Sequence, residues 1–426
     1  MTKYIIEGGH RLQGEVQING AKNAALPMIA AALLTADECV FDNVPWIEDI
    51  RNLVEILRQL GCRVAWDESR HRIHISAAAV TSFAPPAELA TRMRGSFLIT
   101  GPLLGRFGES RAPHPGGCDI GDRPVNVDVK GFTAMGARVD TENAHYSFKV
   151  DRLHGQRIYL DYPSHTGTEN LLMAACLAKG KTVIKNASPE PEVAALAGCL
   201  VRMGANITGA GTSVIEIDGV ERLHGVHYRI IPDRIEAGTY AIAAAITGGD
   251  VTLRDVIAAH MDPLTYKLVE AGVEVIEGPG TYTVRAKLPL AAIEVQTLQY
   301  PGFPTDLQAA FAVLLTQAEG TSVLHERVYD NRLQYVGELL RMGADIQVSG
   351  QTARIVGPRR LRGAPVRATD IRAGAALIIA GLAAEAVTEI GDIHHVNRGY
   401  EGVDTKLNGL GARITRVEEE IQEAVV

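Results

Sequence analysis

Met203-Gly204-Ala205 stands where an amphipathic helical pattern stops and a β-like run begins. The same signature (apolar residue, glycine, small residue) returns at Leu60-Gly61-Cys62, Met135-Gly136-Ala137, Ala271-Gly272-Val273, Met342-Gly343-Ala344 and Leu410-Gly411-Ala412. Successive glycines lie 75, 68, 68, 71 and 68 residues apart. Spacing held that closely marks an internal repeat, longer than the usual solenoid units. Glycine suits the place because a chain leaving a helix commonly takes positive φ, which other residues resist.

Each repeat also holds an earlier, Ala-rich helical run opened by polar residues. The openings are Gly20-Ala21-Lys22-Asn23, Arg92-Met93-Arg94-Gly95-Ser96, Gly167-Thr168-Glu169-Asn170, Pro232-Asp233-Arg234-Ile235-Glu236, Pro304-Thr305-Asp306 and Thr369-Asp370-Ile371-Arg372. The run after each opening is apolar on every side, as in Ala24-Ala25-Leu26-Pro27-Met28-Ile29-Ala30-Ala31-Ala32. A helix of that kind is buried, and its small residues permit close packing. Strands such as Thr182-Val183-Ile184-Lys185 and Ser322-Val323-Leu324 lie between. The predicted unit is buried helix, strand, outer helix, strand: an α/β fold built of six copies. A chain of 426 residues is too long for one core, which agrees with more than one domain.

If the buried helices of a domain share one direction, their N-termini meet on one surface. Unpaired N–H groups and partial positive charge suit such a surface to anions. Asp306, Asp370 and Glu236 fit there as ordinary N-terminal charges, each worth roughly 0.3–1 kcal/mol. Lys22, Arg94 and Arg372 do not fit, because the helix dipole disfavours cations at that end. An anion is expected beside them.

Composition removes several function classes. With 42 basic and 50 acidic residues the net charge is −8, so no global field draws nucleic acid, and aromatic-rich basic stripes are missing. The five cysteines show no paired spacing, as expected in a reducing compartment. Met1-Thr2-Lys3-Tyr4 does not begin a signal peptide, and apolar runs such as Ala373 to Ala384 are too short to cross a bilayer. A cytoplasmic protein that binds no membrane is expected. No Cys-x-x-Cys or His-Glu-x-x-His motif occurs, so no dedicated metal site is expected, and His394 and His395 read as opposite faces of a strand. No phosphate loop occurs, and Gly209-Ala210-Gly211-Thr212-Ser213-Val214 reads as a hairpin turn rather than a dinucleotide fingerprint.

One loop carries a thiol of a different kind. Cys39, Cys62, Cys176 and Cys199 sit in apolar periodic segments and read as buried. Cys118 lies in His114-Pro115-Gly116-Gly117-Cys118-Asp119-Ile120-Gly121-Asp122-Arg123-Pro124, and a Pro-Gly-Gly run is neither helix interior nor central strand. Its neighbours Gly and Asp leave Cys118 on a flexible loop, suited to delivering a functional thiol.

Taken together the motifs resemble the enolpyruvyl transferases, in the UDP-N-acetylglucosamine 1-carboxyvinyltransferase branch. The resemblance spans nearly the whole chain. It rests on Gly20 to Pro27, Arg94, Pro115-Gly116-Gly117-Cys118, Ile120-Gly121 and Arg123-Pro124-Val125, and on Thr168-Glu169-Asn170 and Pro232 to Glu236. It extends to Gly302-Phe303-Pro304-Thr305-Asp306, Asp330-Asn331-Arg332, Arg372 to Leu377 and Arg398-Gly399-Tyr400-Glu401. It implies two inside-out α/β domains of three repeats each, with the substrate cleft between them. One would comprise residues 22–230 with the Cys118 loop, the other 1–21 together with 231–426. The implied reaction moves the enolpyruvyl group of phosphoenolpyruvate onto the 3-hydroxyl of UDP-N-acetylglucosamine and releases phosphate, opening peptidoglycan synthesis. No metal or other cofactor is implied.

The resemblance also assigns roles. Cys118 matches the general acid, able to form a covalent adduct; Asp306 matches the base near the attacking hydroxyl; Lys22 joins them in the catalytic set. Phosphoenolpyruvate would be held by Lys22, Asn23, Arg123, Arg332, Arg372 and Arg398, arginine being suited to two-point grips on carboxylate and phosphate. The acceptor would meet Asn23, Arg94, Arg123, Pro124, Val125, Asn126, Val127, Asp306 and Val328.

Three departures fall on the acceptor side. Where the family usually continues Asp-Leu-His, this chain has Asn126-Val127-Asp128; Tyr162 occupies the place of a lysine facing the nucleotide phosphates; Asp122 stands beside Arg123. Losing one lysine–phosphate contact costs about 1–3 kcal/mol. A paralogue using another acceptor such as UMP, and a ligand-binding or regulatory relative, therefore stay open at this point. The shikimate branch is disfavoured because it does not use the cysteine loop.

Overall fold

The structure is a computed structural model that describes residues 2–114, 116, 125–142 and 144–418. All six signature glycines have positive φ, between +88° at Gly343 and +104° at Gly61. Each closes a helix in the same way. Behind the helix Glu48–Gln59, Gly61 N–H donates to Arg58 O and Cys62 N–H to Leu57 O. The pairs Gly204 to Val201 and Ala205 to Leu200, and Gly272 to Val269 and Val273 to Leu268, repeat it. This double bond is the Schellman closure, and it explains both the glycine and the small residue after it.

Six sheets accompany the six units among the described residues. In four, one strand runs parallel to its neighbour and two more continue antiparallel; a fifth differs only in having two short strands, Leu290–Ala291 and Glu294–Gln296, parallel to Ala318–His325. In one of the four Gln13–Gln17 pairs parallel with Asp250–Arg254, which pairs antiparallel with Thr281–Arg285, and that with Glu274–Gly278. The sixth, formed by Glu109–Pro113, His145–Lys149 and Arg138–Glu142, shows only the antiparallel part. Asn206–Thr208 and Val214–Asp218 form the hairpin expected around Gly209.

The chain divides into two compact units, residues 2–19 with 232–418, and residues 20–116 with 125–231. The first strand, Thr2–Glu7, lies between Val387–Gly391 and Arg413–Glu418, so the start of the chain is built into the unit that also holds its far end. Inside that unit three helices pack on one another: Arg234–Ile246, Thr305–Leu315 and Ile371–Ala383. Every residue from Arg234 to Ile246 is buried. The second unit centres on Lys22–Ala31, Thr100–Phe107 and His165–Ala175. Each large apolar side chain in these cores contributes roughly 1.5–3 kcal/mol. Alanine and glycine between them let the helices approach: a Cβ on Gly101 would lie 2.2 Å from Asn170 O.

Two expectations change. The Arg92–Ser96 opening leads first into a 3-10 turn, Arg94–Ile99, and only then into helix. His394 and His395 are not on a strand; they begin the short helix His394–Asn397, with ring centroids 4.1 Å apart.

Candidate functional site

The helix starts sort the three acids that the sequence left equivalent. Asp370 caps its own helix, accepting from Arg372 N at 2.7 Å and Ala373 N at 3.1 Å. Glu236 is buried and accepts from Asn19 N at 2.8 Å and Lys406 Nζ at 2.6 Å. Burial pushes its carboxyl up, and Lys406 opposes that. Both serve the fold. Asp306 is different: its helix has no side-chain cap, and its two oxygens each accept from an arginine, Arg332 Nη2 on Oδ1 and Arg372 Nη2 on Oδ2, both at 2.8 Å. Asp306 stays 26% exposed while the arginine side chains are 5% and 7% exposed.

Both guanidiniums are fixed from several sides. Arg372 Nη1 donates to Tyr400 Oη at 3.1 Å, and that hydroxyl meets Thr239 Oγ1 at 2.8 Å. Arg332 lies over the Tyr329 ring, 5.3 Å from its centroid. Burial, the largest influence, works against each charge, and Asp306 together with Asp370 and Tyr329 at Arg332, and with Tyr400 and Asp233 at Arg372, outweighs it, holding both guanidiniums above their ordinary values. Glu326, which sequence reasoning missed, organises the same corner. Its Oε1 accepts from Thr297 Oγ1, Val328 N and Tyr329 N, and its Oε2 from Thr305 Oγ1, next to Asp306. It is 1% exposed, so these bonds replace its water. Val328, an acceptor candidate, is thus held by its backbone. Arg398 closes the His394–Asn397 helix and acts electrostatically on His395.

The other unit holds the remaining described candidates. Lys22 and Asn23 begin the Lys22–Ala31 helix, which also lacks a side-chain cap. Lys22 Nζ donates to Asp49 Oδ2 at 3.2 Å, a partner that no sequence motif marked. Arg94 opens the 3-10 turn and acts on the buried carboxyl of Asp128. Val125 and Val127 are buried and Asn126 is exposed, at the start of the helix Asn126–Ala134. Lys22, Arg94 and Arg372 were expected to need an outside anion; each has a carboxylate of its own unit acting on it. Cys118, Arg123, Pro124 and Asp122 lie outside the described residues. The four other cysteines are buried as expected, and burial pushes Cys39 up to about 11 and Cys62 and Cys176 up to about 12.

A second cluster gathers around Glu169 of the Thr168-Glu169-Asn170 motif, with partners that carry no motif of their own. His165 Nε2 meets Glu169 Oε1 at 3.0 Å and its Nδ1 meets Glu190 Oε2 at 3.3 Å. His165, Glu190 and Glu192 bring ligand-type atoms within 4.8 Å of one another, a grouping that metal ions also use. No local spacing announces it, because the residues come from the starts of two helices, His165–Ala175 and Pro191–Arg202.

A family profile described as EPSP synthase (3-phosphoshikimate 1-carboxyvinyltransferase) matches residues 6–407. The chain is 49% identical to UDP-N-acetylglucosamine 1-carboxyvinyltransferase 3 of Caldanaerobacter subterraneus subsp. tengcongensis, across 98% of this chain and 100% of that one. It is 50% identical to UDP-N-acetylglucosamine 1-carboxyvinyltransferase 2 of Carboxydothermus hydrogenoformans over the same shares. Among solved structures it is similar to the enolpyruvyl transferase NikO from Streptomyces tendae, with TM-score 0.90 and 27% identity over 98% of this chain and 99% of that one. The EPSP synthase of Acinetobacter baumannii shares the fold, with TM-score 0.77 at 19% identity over 98% and 100%.

Proposed function

The chain belongs to the EPSP synthase family and is a carboxyvinyltransferase; from that premise we propose that it moves the enolpyruvyl group of phosphoenolpyruvate onto the 3-hydroxyl of UDP-N-acetylglucosamine, releasing phosphate. The observation that carries the acceptor is the match, at half identity and nearly full length, to two transferases named for it. Those relatives do not favour the UMP alternative, and they outweigh the departures at Asn126 and Tyr162. The product would feed peptidoglycan synthesis, in the cytoplasm. No helix among the described residues is long and apolar enough to cross a membrane.

The chemistry asks for a proton on the methylene carbon of phosphoenolpyruvate, removal of the proton from the attacking hydroxyl, and cations for a phosphate and a carboxylate. Cys118 is the proposed donor to carbon. Asp306 is the proposed acceptor of the hydroxyl proton; a carboxylate has about four lone-pair sites, so two arginine bonds leave capacity for a third partner. Lys22, Asn23, Arg123, Arg332, Arg372 and Arg398 are proposed to hold phosphoenolpyruvate. Two rigidly supported guanidiniums, already desolvated, suit that task because they need little reorganisation when an anion arrives. Arg94, Val125, Asn126, Val127 and Val328 are proposed for the acceptor, with Asn23, Arg123, Pro124 and Asp306.

The test is phosphate release from phosphoenolpyruvate with UDP-N-acetylglucosamine, UMP or shikimate 3-phosphate offered separately. Release with UDP-N-acetylglucosamine is expected. Release with UMP alone overturns the acceptor assignment, and release with none favours a ligand-binding role.

A further inference from the structure

Asp128 is 2% exposed and sits in the first turn of the helix that begins after Val125. Its Oδ1 accepts from Asn170 Nδ2 at 2.8 Å. The same Asn170 amide donates to Phe97 O at 3.1 Å, and its Oδ1 accepts from Gly101 N at 2.7 Å. Asn170 thereby staples the middle of the turn opened by Arg94, and the helix start that follows it, to the His165–Ala175 helix, and Asp128 ties the third segment to that staple. Two of the segments carry acceptor candidates, Arg94 and Val125 to Val127, and the third begins three residues after the departure at Tyr162.

Burying an unneeded carboxylate is costly, and an amide at the same place would accept the same hydrogen bond. What only the carboxylate adds is charge, and the charged group acting on it is Arg94. We propose that Asp128 is the positioning residue of the acceptor site: bonded to Asn170, which holds the Arg94 turn, and acting on the charge of Arg94, its carboxylate fixes that turn against the Val125 helix start and the His165–Ala175 helix. This rests on UDP-N-acetylglucosamine being the acceptor. Burial pushes Asp128 up to about 6; Asn170 and Arg94, with its own backbone, pull the other way. Among the described residues Arg94 and Asn170 are the side chains that act on it, so protonation of Asp128 releases Arg94.

The experiment is steady-state kinetics of the wild type, Asp128→Asn and Arg94→Ala from pH about 5 to about 8, with KM taken for UDP-N-acetylglucosamine and phosphoenolpyruvate separately. The wild-type acceptor KM is expected to rise as pH falls through about 6. Asp128→Asn should show an acceptor KM raised about tenfold at pH about 8 and flat with pH, with kcat nearly kept, as for one lost charge-assisted bond. Adding Arg94→Ala to Asp128→Asn should bring little further loss. Turnover by the wild type with an acceptor KM that neither varies with pH nor changes in Asp128→Asn overturns the placement alone. Absence of turnover with UDP-N-acetylglucosamine in the wild type overturns the acceptor reading as well. If Asp128→Asn does not fold, the wild-type pH profile still decides.

Discussion

Arg372 donates from Nη2 to Asp306 Oδ2 at 2.8 Å, and that bond joins the starts of two buried helices. Arg332 takes the other oxygen, so one carboxylate pairs with two guanidiniums that are almost without water, and the trio keeps a net positive charge. Function and stability therefore separate by substitution. Asp306→Asn keeps the shape and one acceptor oxygen, turns its amide donor toward the other guanidinium and cannot take a proton, and kcat should fall about 10²–10⁴-fold. Asp306→Ala also strands two buried cations and should cost about 3–5 kcal/mol of stability. Steady-state kinetics and urea denaturation check the pair; an Asn variant with a tenth or more of wild-type kcat removes the base assignment.

Thiol chemistry offers a second test. Burial holds Cys39, Cys62, Cys176 and Cys199 above the ordinary thiol range, so at neutral pH they supply almost no thiolate. Alkylation of the folded protein should consequently fall on Cys118. Peptide mapping after brief iodoacetamide treatment is expected to find that residue labelled and the other four spared until denaturant is added. Fosfomycin should inactivate the wild type, and Cys118→Ala should be inactive from the start. Full turnover by Cys118→Ala would refute the proton-donor role.

The fold was legible because its rule is local. A Schellman closure needs glycine at a fixed step from a helix end, so six such glycines announce six units without knowledge of any contact. The polar openings were equally visible, and Asp306 and Arg372 came from them. Their division of labour was not, since Asp370 and Asp306 look alike in sequence and only the structure shows one capping its own helix while the other binds two arginines. Partners brought together by folding stayed hidden for the same reason. Asp49 is 27 residues from Lys22 and Asn170 is 42 from Asp128, and no periodic pattern links them. A buried acid such as Glu326 leaves at most a weak trace, an ordinary-looking Glu-Arg pair directly after the strand Ala318–His325.

His165 should make stability depend on pH in a definite direction. Burial disfavours its charge, but Glu169 and Glu190 outweigh that and hold the imidazole well above its ordinary 6.5. A group raised in this way stabilises the fold fully below its unfolded pKa and loses that contribution as pH rises through the folded one. Glu169, itself pushed up by burial, limits the effect on the acid side. His165→Gln should therefore cost about 3 kcal/mol near pH 6.5, by leaving buried carboxylates unpaired. The gap to wild type should narrow at alkaline pH, as the imidazole loses its proton. Urea melts in both ranges measure it, and a gap that widens with alkali contradicts the pairing.

Asp128 should behave in the opposite sense from a stabilising residue. Its carboxyl is raised from 3.8 to about 6 by burial, so the folded state binds its proton more tightly than the unfolded chain does. Stability is lost as pH rises from the unfolded value through the folded one, and over about two pKa units that amounts to roughly 3 kcal/mol at neutral pH. Asp128→Asn removes this cost while its oxygen still accepts from Asn170. The variant should be more stable than wild type by about 2 kcal/mol at pH 8, with the difference vanishing near pH 4. A residue retained for the fold alone would show the reverse. Greater stability together with a weakened acceptor KM is the pattern of a charge kept for binding, whereas a variant less stable at pH 8 would mean that the carboxylate serves the core.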